Sequence, residues 1–323
     1  SSGGDFASIG EALQSPRVSD GDILNLAGET FTENNLIINK SLTIRGQGPG
    51  KTIVQAAATP NTAIHYIFGI NYNYPGNKYF AIDNLTLSHG DYNEGGAIYA
   101  RFVDLYISNC EFVDNYAYYN GGAIYLYNGG LFCTNSTFAG NTTEYNTTNS
   151  AHGGGAIALR NYDYSGESLI GNCTFSDNVA PAYGGALSSY GHIEIRNSTF
   201  AGNSAKYGGG IYRYGRQLTV FNTIVADNTA STAGPDIYGS LNAYFSLIEN
   251  TSGATINGSD NITGIGPMLW SLDDNGGPTR TCAIDILSPA RDNGTNDVMP
   301  ATDQRGVAVF NSIRDIGAYE YTE

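Results

Sequence analysis

The chain is short of basic residues: Lys and Arg together number 15 against 30 Asp and Glu, a formal net charge of -15. Recognition of DNA or RNA needs a basic face that neutralises phosphates, so nucleic acid is excluded as a partner. Long apolar runs are missing as well. No stretch of 18 consecutive apolar residues occurs, so no helical membrane span is encoded. Charged side chains make up only 14%, whereas Gly, Asn, Ser, Thr and Tyr are plentiful, so neutral polar groups must cover the surface. That balance fits secreted or cell-surface β proteins better than cytosolic enzymes. The start at Ser1, with neither a methionine nor a signal peptide, reads as a mature or trimmed product.

Cysteine is scarce. Cys110, Cys133, Cys173 and Cys282 could form two disulfides in an oxidising compartment. No Cys-x-x-Cys is present, and His65, His89, His152 and His192 show no ligand spacing, so neither a metal nor a cofactor is expected.

What the chain does have is a repeat. Asn84, Asn109, Asn135, Asn172, Asn197 and Asn222 are separated by 25, 26, 37, 25 and 25 residues. Three residues after them stand Leu87, Phe112, Phe138, Phe175, Phe200 and Val225; two before stand Ile82, Ile107, Cys133, Ile170, Ile195 and Val220. Six after, a second Asn column begins at Asn115 and continues through Asn141, Asn178, Asn203 and Asn228. Gly-Gly pairs complete the unit, as in Gly95-Gly96-Ala97-Ile98-Tyr99 and Gly121-Gly122-Ala123-Ile124-Tyr125. Alternating apolar positions argue short strands with one buried face, three of them per repeat. Such a unit describes a coil of an all-β parallel β-helix, about ten coils of ~25 residues, with like side chains stacked ~4.8 Å apart. The first Asn column (Asn84 to Asn222) is expected to point inward as a structural ladder, because Asn tolerates a left-handed turn and stacked amides bond to one another. Aligned this way, Cys133 joins the apolar core column, while Cys110 and Cys173 fall two coils apart, which favours buried free thiols.

The chain divides at about residue 264. Residues 1–20, with Phe6, Ile9, Ala12 and Leu13 at helical spacing, form an N-terminal cap on the solenoid of 1–264. The Tyr-rich run Asn71 to Gly76 reads as a loop, and extra residues near 142–152 and 161–167 read as insertions beside one Gly-Gly strand. Residues 265–323 change character, with Gly266-Pro267-Met268-Leu269, Asp274-Asn275-Gly276-Gly277-Pro278, Leu287-Ser288-Pro289-Ala290, Thr302-Asp303-Gln304-Arg305-Gly306 and Asp315-Ile316-Gly317-Ala318-Tyr319-Glu320 in order. This tail resembles the terminal module of bacterial and archaeal right-handed β-helix surface proteins of the choice-of-anchor type, in which it closes the solenoid. The Gly-Gly-Ala-Ile repeats are similar to those of polymorphic outer-membrane and adhesin-like proteins. The resemblance implies a right-handed helix in an exported surface protein; no sorting signal follows Glu323, so the mode of attachment stays open.

Three function classes follow. The first is an extracellular, adhesin-like structural protein at the cell surface, meeting copies of itself, another surface protein or a glycan, and self-assembling into a filament, sheath or layer. Its binding stripe would be Tyr99, Tyr125 and Tyr212 beside the small column Ala97, Ala123, Ala156, Ala186 and Gly210, both on the outer face of the Gly-Gly strands. The second is a polysaccharide lyase or hydrolase, for which Asp114, Asp177 and Asp227 at one offset are the acidic candidates, read first as ordinary turn residues. The third is a non-catalytic glycan-binding module. No catalytic residue is assigned. Among the glycosylation sequons, Asn146, Asn257, Asn261 and Asn293 lie outside the clean repeats and are the better acceptors.

Overall fold

The computed structural model describes residues 5–71, 78–146, 153–162 and 166–322. The Tyr-rich loop and parts of both insertions, His152 included, lie outside the described residues. One coil shows the plan. It runs Asp104–Ser108, Glu111–Val113, Tyr116–Asn120 and Ile124–Tyr127, four strands on four faces, which we number in that order. Each strand pairs in parallel with its equivalents in the coils before and after. Face 2 stacks ten strands, from Thr30–Thr32 to Ile262–Thr263, and so counts the coils. Face 3 holds six, while faces 1 and 4 join into one 17-stranded sheet through the long strand Ile237–Tyr244.

Face 3 corrects the expectation of three strands per repeat. Its segments, such as Tyr116–Asn120 and Val179–Tyr183, bury mainly Ala, at Ala117, Ala180 and Ala182, and carry no long apolar inward side chain. Without an apolar alternation they read as turn, although their backbones complete a ladder with the neighbouring coils.

The corners explain the repeat's punctuation. Between faces 1 and 2 a single residue turns the chain in the left-handed region; Asn fills it from Asn84 to Asn222, with φ of 57° at Asn84, 51° at Asn109 and 46° at Asn222, and Phe245 and Asp260 take it in the last two coils. Between faces 3 and 4 the Gly-Gly pair is required twice over. Gly121 has φ 60°, and a Cβ on Gly122 would lie 2.2 Å from the Gly155 carbonyl oxygen of the next coil.

Inside, like sits on like. Phe112, Phe138, Phe175 and Phe200 are fully buried and stack face to face with centroids 4.6, 4.7 and 4.3 Å apart. Next to them runs the buried amide ladder, and it is the second Asn column. Asn115 Nδ2 donates to Asn141 Oδ1 at 3.0 Å, Asn141 to Asn178, Asn178 to Asn203 and Asn203 to Asn228 at 2.9 Å each. Each acceptor oxygen also takes the backbone N–H of the preceding Asn, and each Nδ2 also reaches a Phe or Leu carbonyl one coil back. Asn228 Nδ2 ends the series on the carboxylate of Asp236 at 2.9 Å.

The expected inward ladder of Asn84, Asn109, Asn135, Asn172, Asn197 and Asn222 is therefore a corner column on the outside. Asn84, Asn109 and Asn135 are half-buried. Amide contacts along it are broken: Asn109 bonds to Asp83, Asn172 to Asn135 and Asn222 to Asn197. A left-handed corner residue points its side chain away from the coil interior, which the count of Asn residues alone does not reveal.

The N-terminal cap is the helix Ile9–Gln14. Ser8 caps it by accepting from Glu11 N, and Glu33 of the first coil accepts from Ile9 N and Gly10 N at 2.9 Å. Residues 265–322 contain no helix or strand, only isolated antiparallel bridges. They run back along the outside of face 2 as a strap. Arg280 pairs with Glu111 through Nε and NH2, Gln304 joins Thr137 and Thr174, and Ala318 N donates to Thr199 Oγ1. Asn172 and Asn222 donate to the Thr302 and Thr295 carbonyls, which uses and buries the far end of the corner column. Ile284, Ala290 and Ile316 pack on Ile224, Ala226 and Leu247. Buried carboxylates stand in for the missing ladder: Asp303, Asp315 and Glu320 accept seven backbone N–H bonds between them, from Arg305, Val307, Glu320, Asp292, Tyr321, Phe310 and Asp315.

Two outcomes follow from this accounting. Asn178→Ala leaves the Asn141 backbone N–H unpaired and removes the side-chain bonds to Asn141, Asn203 and the Phe138 carbonyl, which lowers unfolding free energy by roughly 3 kcal/mol, whereas Asn84→Gly changes it by under about 0.5 kcal/mol; urea unfolding measures both. Burial pushes the Asp236 carboxyl from 3.8 and the Glu320 carboxyl from 4.5 up to about 7. A carboxyl whose pKa is raised on folding gives stability that is complete below its unfolded value and lost as pH climbs through its folded one. The thermal midpoint accordingly falls between pH 4 and about 7, and Asp236→Asn removes part of that slope.

Candidate binding face

Face 4 carries aromatic columns over more coils than the groups at Tyr79, Tyr106 and Phe132 on face 1 and at Tyr118, Tyr119 and Tyr145 by face 3. In Ile124–Tyr127, Ile124 and Leu126 point into the core, and Tyr125 and Tyr127 point out. Register then builds two outward columns. The first passes through Tyr66, whose ring lies over Gly69, to Tyr99 and Tyr125, with centroids 6.0 and 5.6 Å apart and planes within 13° of parallel. It breaks at Ala158 and Ser188, then resumes at Tyr212 and Tyr238, 5.6 Å apart. The expected stripe of Tyr99, Tyr125 and Tyr212 is thus one column interrupted by two coils.

The small column does not lie beside it. Ala97, Ala123, Ala156 and Ala186 are fully buried in the core. They sit at the corner where the strand's alternation has not yet begun, so residue parity across the Gly-Gly turn fails there.

Parallel stacking along the solenoid axis changes what the first column offers. Each ring's faces are used by its neighbours, leaving edges and hydroxyls toward solvent. Tyr125 and Tyr212 are only 8% exposed, and burial raises both phenols, Tyr212 to about 12. These hydroxyls stay protonated donors at neutral pH.

The gap is filled by Arg160. Its guanidinium donates to the Leu159 and Ser188 carbonyls, to Ser188 Oγ and to Asn120 Oδ1, and burial lowers its pKa. Asn120 in turn donates to Glu94 Oε1 at 2.9 Å, so an Arg–Asn–Glu chain crosses from face 4 to face 3.

A second column, not singled out from sequence, lies at and just beyond the strand ends: Tyr127 and Tyr190 share a register position with Arg101 and Arg160, and Phe102 and Tyr162 follow those arginines. It runs Phe102, Tyr127, Tyr162, Tyr190 and Tyr214, with neighbouring centroids 5.5, 6.1, 4.6 and 5.5 Å apart. These rings are tilted by 36–82°, so their faces are partly open; Tyr162 is 43% and Tyr214 53% exposed. Arg101 lies 4.8 Å over Tyr127. A period of two beyond Tyr125 and Tyr212 reaches Tyr127 and Tyr214, but it lands on Arg101 and Arg160 in other coils, so Phe102 and Tyr162 carry no such signal.

Asp114, Asp177 and Asp227 all turn the corner between faces 2 and 3 with φ of 52–58°. The alternating Gly140 and Gly202 are matched to them: a Cβ on either would lie 2.4 or 2.6 Å from the carboxylate of the preceding Asp. Packing accounts for the alternation. The four cysteines are buried and unpaired, with Cys133 Sγ 3.8 Å from Cys173 Sγ, and burial pushes Cys110 and Cys282 up to about 12. Of the sequon residues, Asn146, Asn257 and Asn293 are exposed, but Asn261 is half-buried with its amide held by Ala243 O and Ser246 N. Among the described residues, no three His, Cys, Asp or Glu side chains converge as metal ligands, and no helix is long and apolar enough to cross a membrane.

A ten-coil solenoid of parallel strands places the chain among the β-helix proteins. Residues 68–263 match the family model described as right handed beta helix region, well over half of the chain, and the protein belongs to that family. None of the curated proteins matches it. The family shares one fold among adhesins, lyases and hydrolases.

Ultraviolet titration tests the face. Tyr212 ionises at about 12 and Tyr125 well above the ordinary phenol range in the folded protein, and both release near their ordinary value of 10 once it is unfolded. A full tyrosine titration centred near 10 without unfolding would contradict the packing described.

Proposed function

We propose that this protein is an adhesin-like structural protein of the cell exterior, a stiff rod that meets another surface, or further copies of itself, through face 4. One observation carries the reading: the Phe102–Tyr127–Tyr162–Tyr190–Tyr214 column, aromatic over five coils and still open to solvent at Tyr162 and Tyr214. Tyrosine gives large contact area at little rotamer cost and is enriched where proteins touch. The low content of charged groups supports an exterior location, and the order of motifs in the tail supports kinship with anchored surface proteins.

Electron microscopy together with mass in solution tests it. The expected result is filaments or sheets from the wild-type chain and dispersed monomers from the Tyr162→Ser, Tyr190→Ser, Tyr214→Ser variant, at equal thermal midpoint. A wild-type chain that stays monomeric at every concentration ends the self-assembly arm. If beads coated with it also adhere to cells no better than beads coated with the triple variant, the adhesin reading fails with it.

A further inference from the structure

The strap holds a second, separate concavity. Leu269 and Ile284 bridge in antiparallel fashion and pack toward the solenoid, so the neighbouring residue, Trp270, points outward; its backbone N–H donates to Ala283 O at 2.8 Å. Trp270 is the only tryptophan in the chain and is 62% exposed. It forms one wall of a cavity of about 320 Å³ whose other walls include Asp273, Asn275, Asp285, Tyr319 and Tyr321. That volume is at the lower end of the roughly 300–1,000 Å³ of small-ligand sites.

The chemistry of the walls selects a ligand. Asp273 and Asp285 each commit one carboxylate oxygen to a turn N–H, of Asp274 and Leu287, which leaves the other to accept from outside. The nearby cations are already engaged: Arg305 stacks 3.7 Å over Tyr319 and pairs with Asp303, and Arg291 lies 4.9 Å over Tyr321. Two carboxylates with no uncommitted cation repel phosphates, sulfates and acidic sugars. An organic cation would be held in an enclosed aromatic cage, but here the indole stands open and both tyrosine rings carry the protein's own arginines. A flat apolar wall next to acceptors of hydroxyl protons suits a neutral polyol ring. We propose that this concavity binds a neutral pyranose unit of a glycan, its C–H face on the Trp270 indole and its hydroxyls donating to Asp273 and Asp285.

Because Trp270 is the sole indole, emission excited at the red edge of its absorption reports this site alone. The full chain is titrated with maltohexaose, mannohexaose and N-acetylchitohexaose. At least one gives a saturable shift; Trp270→Ala abolishes its binding by calorimetry, and Asp285→Asn weakens it about tenfold, the loss of one charged hydrogen bond. Both variants keep the wild-type thermal midpoint, since the Trp270 indole is exposed and an amide oxygen in place of the Asp285 carboxylate still accepts from Leu287 N. The proposal is overturned if none of the three sugars gives a saturable shift, if Trp270→Ala binds as wild type, or if hexalysine or an oligouronate binds more tightly than every neutral sugar. The face 4 triple tyrosine variant retains the response, so this site and the aromatic face stand or fall separately.

Discussion

The side chain of each buried asparagine in the second column has one place to go, and the whole solenoid is arranged around it. Four strands close one coil only if the chain turns sharply between faces 2 and 3. That turn leaves backbone groups inside, where an unpaired amide costs about 1–3 kcal/mol. An Asn amide supplies a donor and an acceptor in one plane, so a single residue satisfies its own coil and the next. The bond is useful only when the next coil offers the same group at the same height, which is why the repeat tolerates so little drift. Where the column ends, Asp236 accepts from Asn228 Nδ2 with one carboxyl oxygen and from Asn250 N with the other, a suitable last rung.

The sequence made the period, the coil number and the apolar columns legible because each is a fixed offset from Asn to Ile or Phe. It misled in two places for definite reasons. Both Asn columns have the same residue type at the same period, and only the backbone tells them apart: Asn109 sits at φ 51°, which turns its side chain out, whereas Asn141 lies beyond the Phe138 strand with its amide inside. Face 3 was unreadable because Tyr116–Asn120 buries so little that alternation is absent, though its ladder is intact. The strap was hidden for a third reason. Thr137, Thr174 and Thr199 look like ordinary β-formers facing water, and their role as a track for Arg280, Gln304 and Ala318 depends on contacts more than 100 residues away.

The candidate sites divide along the same line. Face 4 repeats, so its first tyrosine column could be read from the strand register, while its gap and its buried Arg160 arise from two coils in which small residues replace Tyr. The Trp270 concavity does not repeat. It is assembled from residues 270, 273, 285, 319 and 321 by a segment with no regular structure, and no periodicity announces it.

The strap also sets how the rod carries load. A solenoid pulled from its end gives way one coil at a time, since each coil holds only its neighbours. Here the final segment passes over the same coils more than once, reaching Glu111 and Thr137 at Arg280, Thr174 at Gln304 and Thr199 at Ala318, so tension on it is shared across several coils in shear. Peeling the last coil requires stripping that fastening first. The molecule resembles a splinted spring, stiff over the strapped half and compliant toward the helix-capped end.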